Sequence, residues 1–183
     1  FLLIASKKAH HESFHAFLKA VDIISLESRI DKSLSLKHFL VKTIISQQVS
    51  VKAAASIWSK VKNLLDHHPP AISIDLLRDQ GLSKPKASYI LGIMQNTELE
   101  KLSIADLKKL SLGELSQSLL ALKGVGPWTL GVVRMFYVQD TDVFLEGDLG
   151  INKALEHFFK SKKYSGKHYA PYRTYLCLYL WKS

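Results

Sequence analysis

Along most of this chain the apolar residues return every third and fourth position, and nowhere do they alternate over any length. Leu36, Phe39, Leu40, Ile44 and Ile45 share one helical face; Val51, Ala54, Ala55, Trp58, Val61, Leu64 and Leu65 share another. Such a stripe buries one side of an α-helix, whereas a half-buried strand would need a period of two. The same spacing predicts shorter helices over 73–80, 85–94, 104–110 and 112–121, then 127–137, 148–159 and a last one from about Pro171. His67-His68-Pro69-Pro70 is expected to close the helix that starts near Val51, since proline lacks the amide a helix needs. Residues 142–145 form at most a short extended piece. The expected class is all-α. A hydrophobic content of 47% excludes a disordered chain, and 183 residues suffice for one domain or two small lobes with a real core.

Composition removes several function classes. A single cysteine, Cys177, leaves no disulfide framework and no cysteine-ligated iron–sulfur cluster. The eight histidines include His10-His11 and His67-His68, yet none forms a helical ligand pair joined to a carboxylate, so no zinc site is expected. No apolar run approaches membrane-spanning length. Phe1-Leu2-Leu3-Ile4-Ala5 is too short and wrongly flanked for a signal peptide, and the lack of an initial Met leaves room for an upstream segment. With 25 Lys+Arg against 16 Asp+Glu the net charge is +9. A cationic surface supplies the sequence-independent part of nucleic-acid affinity, although it also serves solubility.

The helical pattern breaks at Leu122-Lys123-Gly124-Val125-Gly126-Pro127-Trp128-Thr129. Leu119, Leu120 and Leu122 read as packing residues of the helix before it; Val132, Val133 and Phe136 belong to the helix after it. Two glycines one residue apart permit positive φ and a close backbone approach. Pro127 suits the first turn of a helix, where its missing N–H costs nothing. The loop amides and the new helix start make a concave anion site, with Lys123 beside it. The plainer reading is a helix–turn–helix corner with a glycine cap. Residues 77–93 echo the pattern with Gly81-Leu82-Ser83, Pro85, Lys84 and Lys86; this reads as a common way to turn a corner in preference to a second, degenerate hairpin. The basic run 160–167 reads as a solvated loop, with DNA contact as the alternative.

Asp148 precedes Ile151, Ala154, Leu155, Phe158 and Phe159, the register of an amphipathic helix that Asp148 would cap. Capping and function do not compete. A carboxylate held by amide donors stays ionised in one rotamer and can face developing positive charge without rearranging. Gly147 and Gly150 leave room around it. Asp140, Asp142 and Glu146 lack this combination.

These residues together resemble the helix-hairpin-helix (HhH-GPD) DNA glycosylase superfamily. The resemblance rests on the 122–129 segment, on Asp142-Val143-Phe144, and on Gly147-Asp148-Leu149-Gly150-Ile151-Asn152-Lys153, with Asp148 lying 20 positions after Trp128. Ile44-Ile45-Ser46-Gln47-Gln48-Val49-Ser50 is similar to the family's segment that enters the minor groove. Tyr169-Ala170-Pro171-Tyr172-Arg173-Thr174 with Leu180-Trp181 is similar to its C-terminal signature. The landmarks run in family order from about 36 to 182. Trp128 stands where bifunctional members carry a lysine nucleophile, which points to the 3-methyladenine DNA glycosylase II branch. The chain departs from relatives at Tyr169, where many have Trp; at Val132, where a pocket Tyr occurs; and at Gln48, where the wedge can be Leu. It is also expected to lack the N-terminal β domain of some bacterial relatives.

The resemblance implies a single domain over 1–183, with helical lobes at 36–120 and at 1–35 plus 121–183 and an active-site cleft between them. It implies a monofunctional base-excision-repair enzyme that flips out alkylated purines such as 3-methyladenine and 7-methylguanine, hydrolyses the N-glycosidic bond and leaves an abasic site. Asp148 would be catalytic. Trp128 would stack the base, a cation–π contact of roughly 0.5–2 kcal/mol for a cationic purine. Gln47, Gln48, Ser50, Lys123, Gly124, Val125, Gly126 and Thr129 would contact double-stranded DNA. A Na⁺ or K⁺ ion could rest on the carbonyls of Leu122 and Val125. The expected state is a monomer, in the cytoplasm and nucleoid of a bacterium or the nucleus of a eukaryote. From the residues alone, without the motif, Trp128 reads first as core and Gln47-Gln48 as a polar turn between helices. A noncatalytic helix-hairpin-helix DNA-binding module and a glycosylase for mismatched or oxidised bases are the competing readings.

Overall fold

The computed structural model describes residues 1–31, 33–67, 72–161 and 163–183, and every regular element among them is helical. The described α-helices are α1 (Leu2–Lys8), α2 (Glu12–Ala20), α3 (Leu36–Ser46), α4 (Val51–His67), α5 (Ile74–Asp79), α6 (Lys84–Gln95), α7 (Ile104–Lys109), α8 (Leu112–Leu120), α9 (Pro127–Val133), α10 (Leu149–Phe159) and α11 (Arg173–Leu180). The helix end expected at His67-His68-Pro69-Pro70 falls on residues 68–70, outside the described ones. No described helix is long and apolar enough to cross a membrane.

Two compact units divide the chain: Phe1–Ile30 with Arg134–Ser183, and Asp31–Val133. The second is built around α3, which is apolar on most of its circumference. Leu36, Phe39, Leu40, Val41, Ile44 and Ile45 are all buried, as expected of a helix enclosed by neighbours. Lys37 is buried too, and the cost of burying its charge is offset by bonds from Nζ to the Met94 carbonyl at 2.7 Å and the Glu100 carboxylate at 2.5 Å. Serines start the surrounding helices. Ser73 and Ser83 cap α5 and α6, while Ser103 and Ser111 form capping boxes with Asp106 and Glu114 on α7 and α8.

Two stripes read from the sequence are narrower than expected. On α4 only Val61 and Leu65 are buried, and Val51 at its start is 89% exposed. On α8 Leu115 and Leu119 face inward while Leu120 is 42% exposed. The lobe boundary also moves. The sequence placed 121–133 with the C-terminal lobe, whereas the structure groups it with Asp31–Val133. The reason is tertiary contact: Gln47 at the end of α3 and Tyr89 of α6 both meet the 122–129 corner.

The first unit contains two helices the sequence reading passed over, α1 and α2. The signal was present: Phe14, Phe17 and Leu18 have helical spacing. Phe14 is fully buried and meets Phe158 of α10 with ring centroids 5.2 Å apart and Tyr169 at 5.6 Å. Tyr169 is itself fully buried, and its hydroxyl bonds His11 Nδ1 at 2.8 Å. Burial, aided by the nearby His168 and His10, lowers the pKa of His11 and favours its neutral ring. The helix expected over 127–137 is α-helical only to Val133; Arg134–Val138 is a π-helical turn. The Asp140 amide reaches back to the Arg134 carbonyl at 2.8 Å, and the Arg134 guanidinium pairs with the Asp140 carboxylate at 2.5 Å. With Gln139 at φ 67° just before it, this bond closes the end of the π-helical turn.

Candidate active site

Asp148 is the N-cap of α10. Its Oδ1 accepts the Ile151 amide at 2.9 Å and the Trp181 indole N–H at 2.9 Å. Two donors from different elements leave the half-buried carboxylate little rotational freedom. Gly150 keeps this arrangement uncrowded: a Cβ there would stand 3.2 Å from Trp181 Cδ1 and 3.3 Å from Asp148 Oδ1, close enough that both would have to give by a few tenths of an ångström. Gly147 takes φ +80° in open space.

The segment that delivers Asp148 is held by one helix. Arg173 of α11 pairs with the Asp142 carboxylate at 2.6 and 2.9 Å. The Thr174 hydroxyl donates to the Asp140 carbonyl at 2.7 Å and accepts the Val143 amide at 3.1 Å. Cys177 Sγ reaches the Val143 carbonyl at 3.6 Å, and Trp181 takes Asp148. Arg173, Cys177 and Trp181 are four residues apart and share a face, so residues 140–148 are fastened along α11 like a strap. The neighbouring carboxylates are thereby accounted for: Asp140 serves Arg134, and Asp142 serves Arg173, whose hydrogen bond lowers the Asp142 pKa. Cys177 is wholly buried, which pushes its thiol pKa up to about 12 and makes it inert as a nucleophile.

The 122–129 corner lies in the other unit, between α8 and α9. Gly124 takes φ +87°, and a Cβ on it would meet the Tyr89 ring at 2.5 Å. The Val125 amide donates to the Leu122 carbonyl at 3.1 Å, and the Val125 side chain is buried. Gly126 is open, with nothing within 4 Å of an added Cβ. Lys123 is exposed and Trp128 half-buried in the first turn of α9.

The sequence proposed eight DNA-contacting residues here, and the structure gives several of their side chains internal work. Gln47, the C-cap of α3, donates its Nε2 to the Gly124 carbonyl at 3.0 Å and to Thr129 Oγ1 at 2.9 Å. Thr129 is 1% exposed, so its hydroxyl is an anchor for Gln47 and cannot face solvent. Ser50 caps α4, its Oγ accepting the Ala53 amide at 3.2 Å. Gly124 owes its identity to Tyr89 and to its φ, and Val125 is a packing residue. Lys123, Gly126 and Gln48 remain at the surface, with Gln48 in a left-handed conformation at φ 56°.

Three residues that hold either Asp148 or the 122–129 corner carry no local sign of that role. Trp181 is a C-terminal landmark in the sequence, and nothing local ties it to a carboxylate 33 positions earlier. Tyr89 sits in an unremarkable helix. Lys86 belongs to the hairpin-like segment 77–93, yet its Nζ turns inward to the carbonyls of Ile45 at 3.0 Å and Gln47 at 2.5 Å. No cluster of three or more His, Cys, Asp and Glu gathers as a metal site among the described residues.

No family model matches the chain. Individual proteins do. YfjP of Bacillus subtilis, which carries a provisional DNA-3-methyladenine glycosylase name, is 25% identical over 169 residues, 81% of this chain and 59% of its own length. The alkylbase DNA glycosidase-like protein mag2 of Schizosaccharomyces pombe is 30% identical over 161 residues, 78% of this chain and 75% of its own. Among solved structures, the 3-methyladenine DNA glycosylase Mag1 of Schizosaccharomyces pombe, in complex with abasic DNA, matches with a TM-score of 0.80 at 25% identity, over 91% of this chain and 88% of that one. The chain thus spans three fifths to three quarters of the lengths of YfjP and mag2.

Proposed function

Because this chain belongs to the helix-hairpin-helix DNA glycosylases, in their 3-methyladenine branch, we propose that it removes alkylated purines such as 3-methyladenine and 7-methylguanine from double-stranded DNA, without lyase activity. The observation that carries this reading is Asp148, fixed by the Ile151 amide and the Trp181 indole. A plain DNA grip would need this carboxylate only as the cap of α10.

An N-alkylated purine carries positive charge and leaves readily. The glycosidic bond breaks with both electrons going to the base, the sugar becomes oxocarbenium-like, and water adds to C1′ and gives up a proton. Asp148 would stabilise the sugar cation and take that proton. The base must first leave the stack. Trp128 would receive it, its indole face attracting a cationic ring. Gln48 would fill the gap in the duplex. Lys123 and the backbone amides of Gly124 and Gly126 would hold phosphate. Trp128 in place of a lysine nucleophile supports hydrolysis alone. The neutral carbonyls of Leu122 and Val125 suit a hard monovalent cation such as Na⁺ or K⁺, which would add positive charge near the phosphate. The acting form would be a monomer, working where the cell keeps its DNA.

Asp148→Asn tests the reading. Asn Oδ1 can accept both existing bonds, so the fold and DNA binding should persist while base release from methylated DNA drops roughly a hundredfold or more. Near-parental release by the folded variant would overturn the assignment.

A further inference from the structure

The residue before Gln48 is held from two sides. From one side Gln47 sends its amide across to the Gly124 carbonyl and Thr129 Oγ1, at 3.0 and 2.9 Å. From the other, Lys86 caps the end of α3 through the Ile45 and Gln47 carbonyls, at 3.0 and 2.5 Å. A carbonyl can only accept, so the Gln47 amide has one orientation that satisfies Gly124. The last carbonyls of a helix lack intrahelical partners, and a cation there satisfies them and the dipole together. Both fixings fall on residues 45–47, directly before Gln48, which stands exposed at φ 56°.

We propose that Gln47 and Lys86 are positioning residues for nucleotide extrusion, welding the Gln48 loop to the Lys123–Gly126 corner so that the two engage DNA as one rigid piece. This rests on the glycosylase reading above and deepens it. A side chain pushed into a base stack works only if its backing does not yield. Anchoring the loop to the corner that grips phosphate makes the pushing residue react against the strand it is unstacking. Preorganised geometry of this kind avoids ordering costs at the moment of engagement. The sequence of the loop is therefore split by role: Gln47 faces the protein and Gln48 the DNA. Lys86 acts without touching nucleic acid, although it is a cation beside a corner that resembles a hairpin.

The test is a double-mutant cycle on the intact protein. Gln47→Met and Lys86→Met, each alone and combined with Gln48→Ala, are titrated onto duplex DNA carrying 2-aminopurine beside an abasic analogue. Fluorescence reports unstacking, and anisotropy on undamaged duplex reports binding. Each single variant should cut the unstacking equilibrium about tenfold, the size of coupling within one hydrogen-bond network, with undamaged-duplex affinity within about twofold of the parent. In the Gln48→Ala background neither should cost anything more. Lys86→Arg, which keeps the donors, should restore the signal. Should Gln47→Met fold poorly, Lys86→Met carries the test alone. Multiplying losses, or a fall in melting temperature with unstacking intact, would overturn the proposal. A parent protein that unstacks no duplex at all would instead overturn the glycosylase reading on which it rests.

Discussion

The corner between α5 and α6 and the corner between α8 and α9 share one plan. Each ends a helix, passes through a glycine at positive φ (Gly81 at +99°, Gly124 at +87°), buries an apolar residue (Leu82, Val125) and enters a new helix. They differ in the surroundings of the glycine and in the residue two positions beyond it. A Cβ on Gly81 would meet only the Ile57 side chain, at 3.6 Å, whereas one on Gly124 would strike the Tyr89 ring. After the buried residue the first corner has Ser83, whose hydroxyl caps α6 at Lys86. The second has Gly126, which offers no side chain. One corner thus satisfies its own helix start and turns its lysine inward. The other is locked from behind and left bare in front. A shared backbone path says little about function; the side chains that close it or leave it open decide.

That contrast can be broken by substitution. The largest effect should come from Gly124→Ala, which combines a φ disfavoured for L residues with a ring that cannot withdraw without disturbing α6. We expect a loss of about 3 kcal/mol in denaturant unfolding. Gly81→Ala has the same φ problem without the clash and should cost about 1–2 kcal/mol. Equal losses at the two sites would mean that Tyr89 yields freely and that the corners are not locked differently. The smallest effect on stability should belong to Gly126→Ala, within about 0.5 kcal/mol of the parent, since its Cβ enters open space. Its consequence should appear in DNA affinity instead, lowered for all sequences alike, because phosphate contacts carry no base information. Unaltered affinity across a salt series would remove Gly126 from the phosphate grip.

Much of this was legible in the chain. Periodic apolar stripes place α3 to α8 within a few residues of their ends, because helix starts are written locally by Ser73, Ser83, Ser103 and Ser111. Asp148 was legible as a cap for the same reason. What the sequence could not show is which partner a polar side chain chooses across the fold. Gln47 and Thr129 have the chemistry of DNA-contacting groups, and only tertiary contact reveals that they satisfy each other. Trp181 is likewise an ordinary aromatic until α11 brings it to Asp148. The boundary between units was misplaced because helical spacing is a local signal, while unit membership comes from contacts between distant residues.

The strap along α11 bears on the order in which the molecule is assembled. Asp31–Val133 is one continuous stretch, while the unit containing Asp148 is split around it. The first can begin to fold as soon as its own length has emerged. The second must wait for α11 and then recruit α1 and α2 across the whole intervening stretch, a closure whose entropic cost grows slowly with length but is met only late. The bond from Trp181 becomes available to chain growth only after all of Asp31–Val133 has emerged. On the proposed function, the unit with the phosphate-holding corner can therefore take shape before Asp148, the residue that would act on the glycosidic bond, is secured.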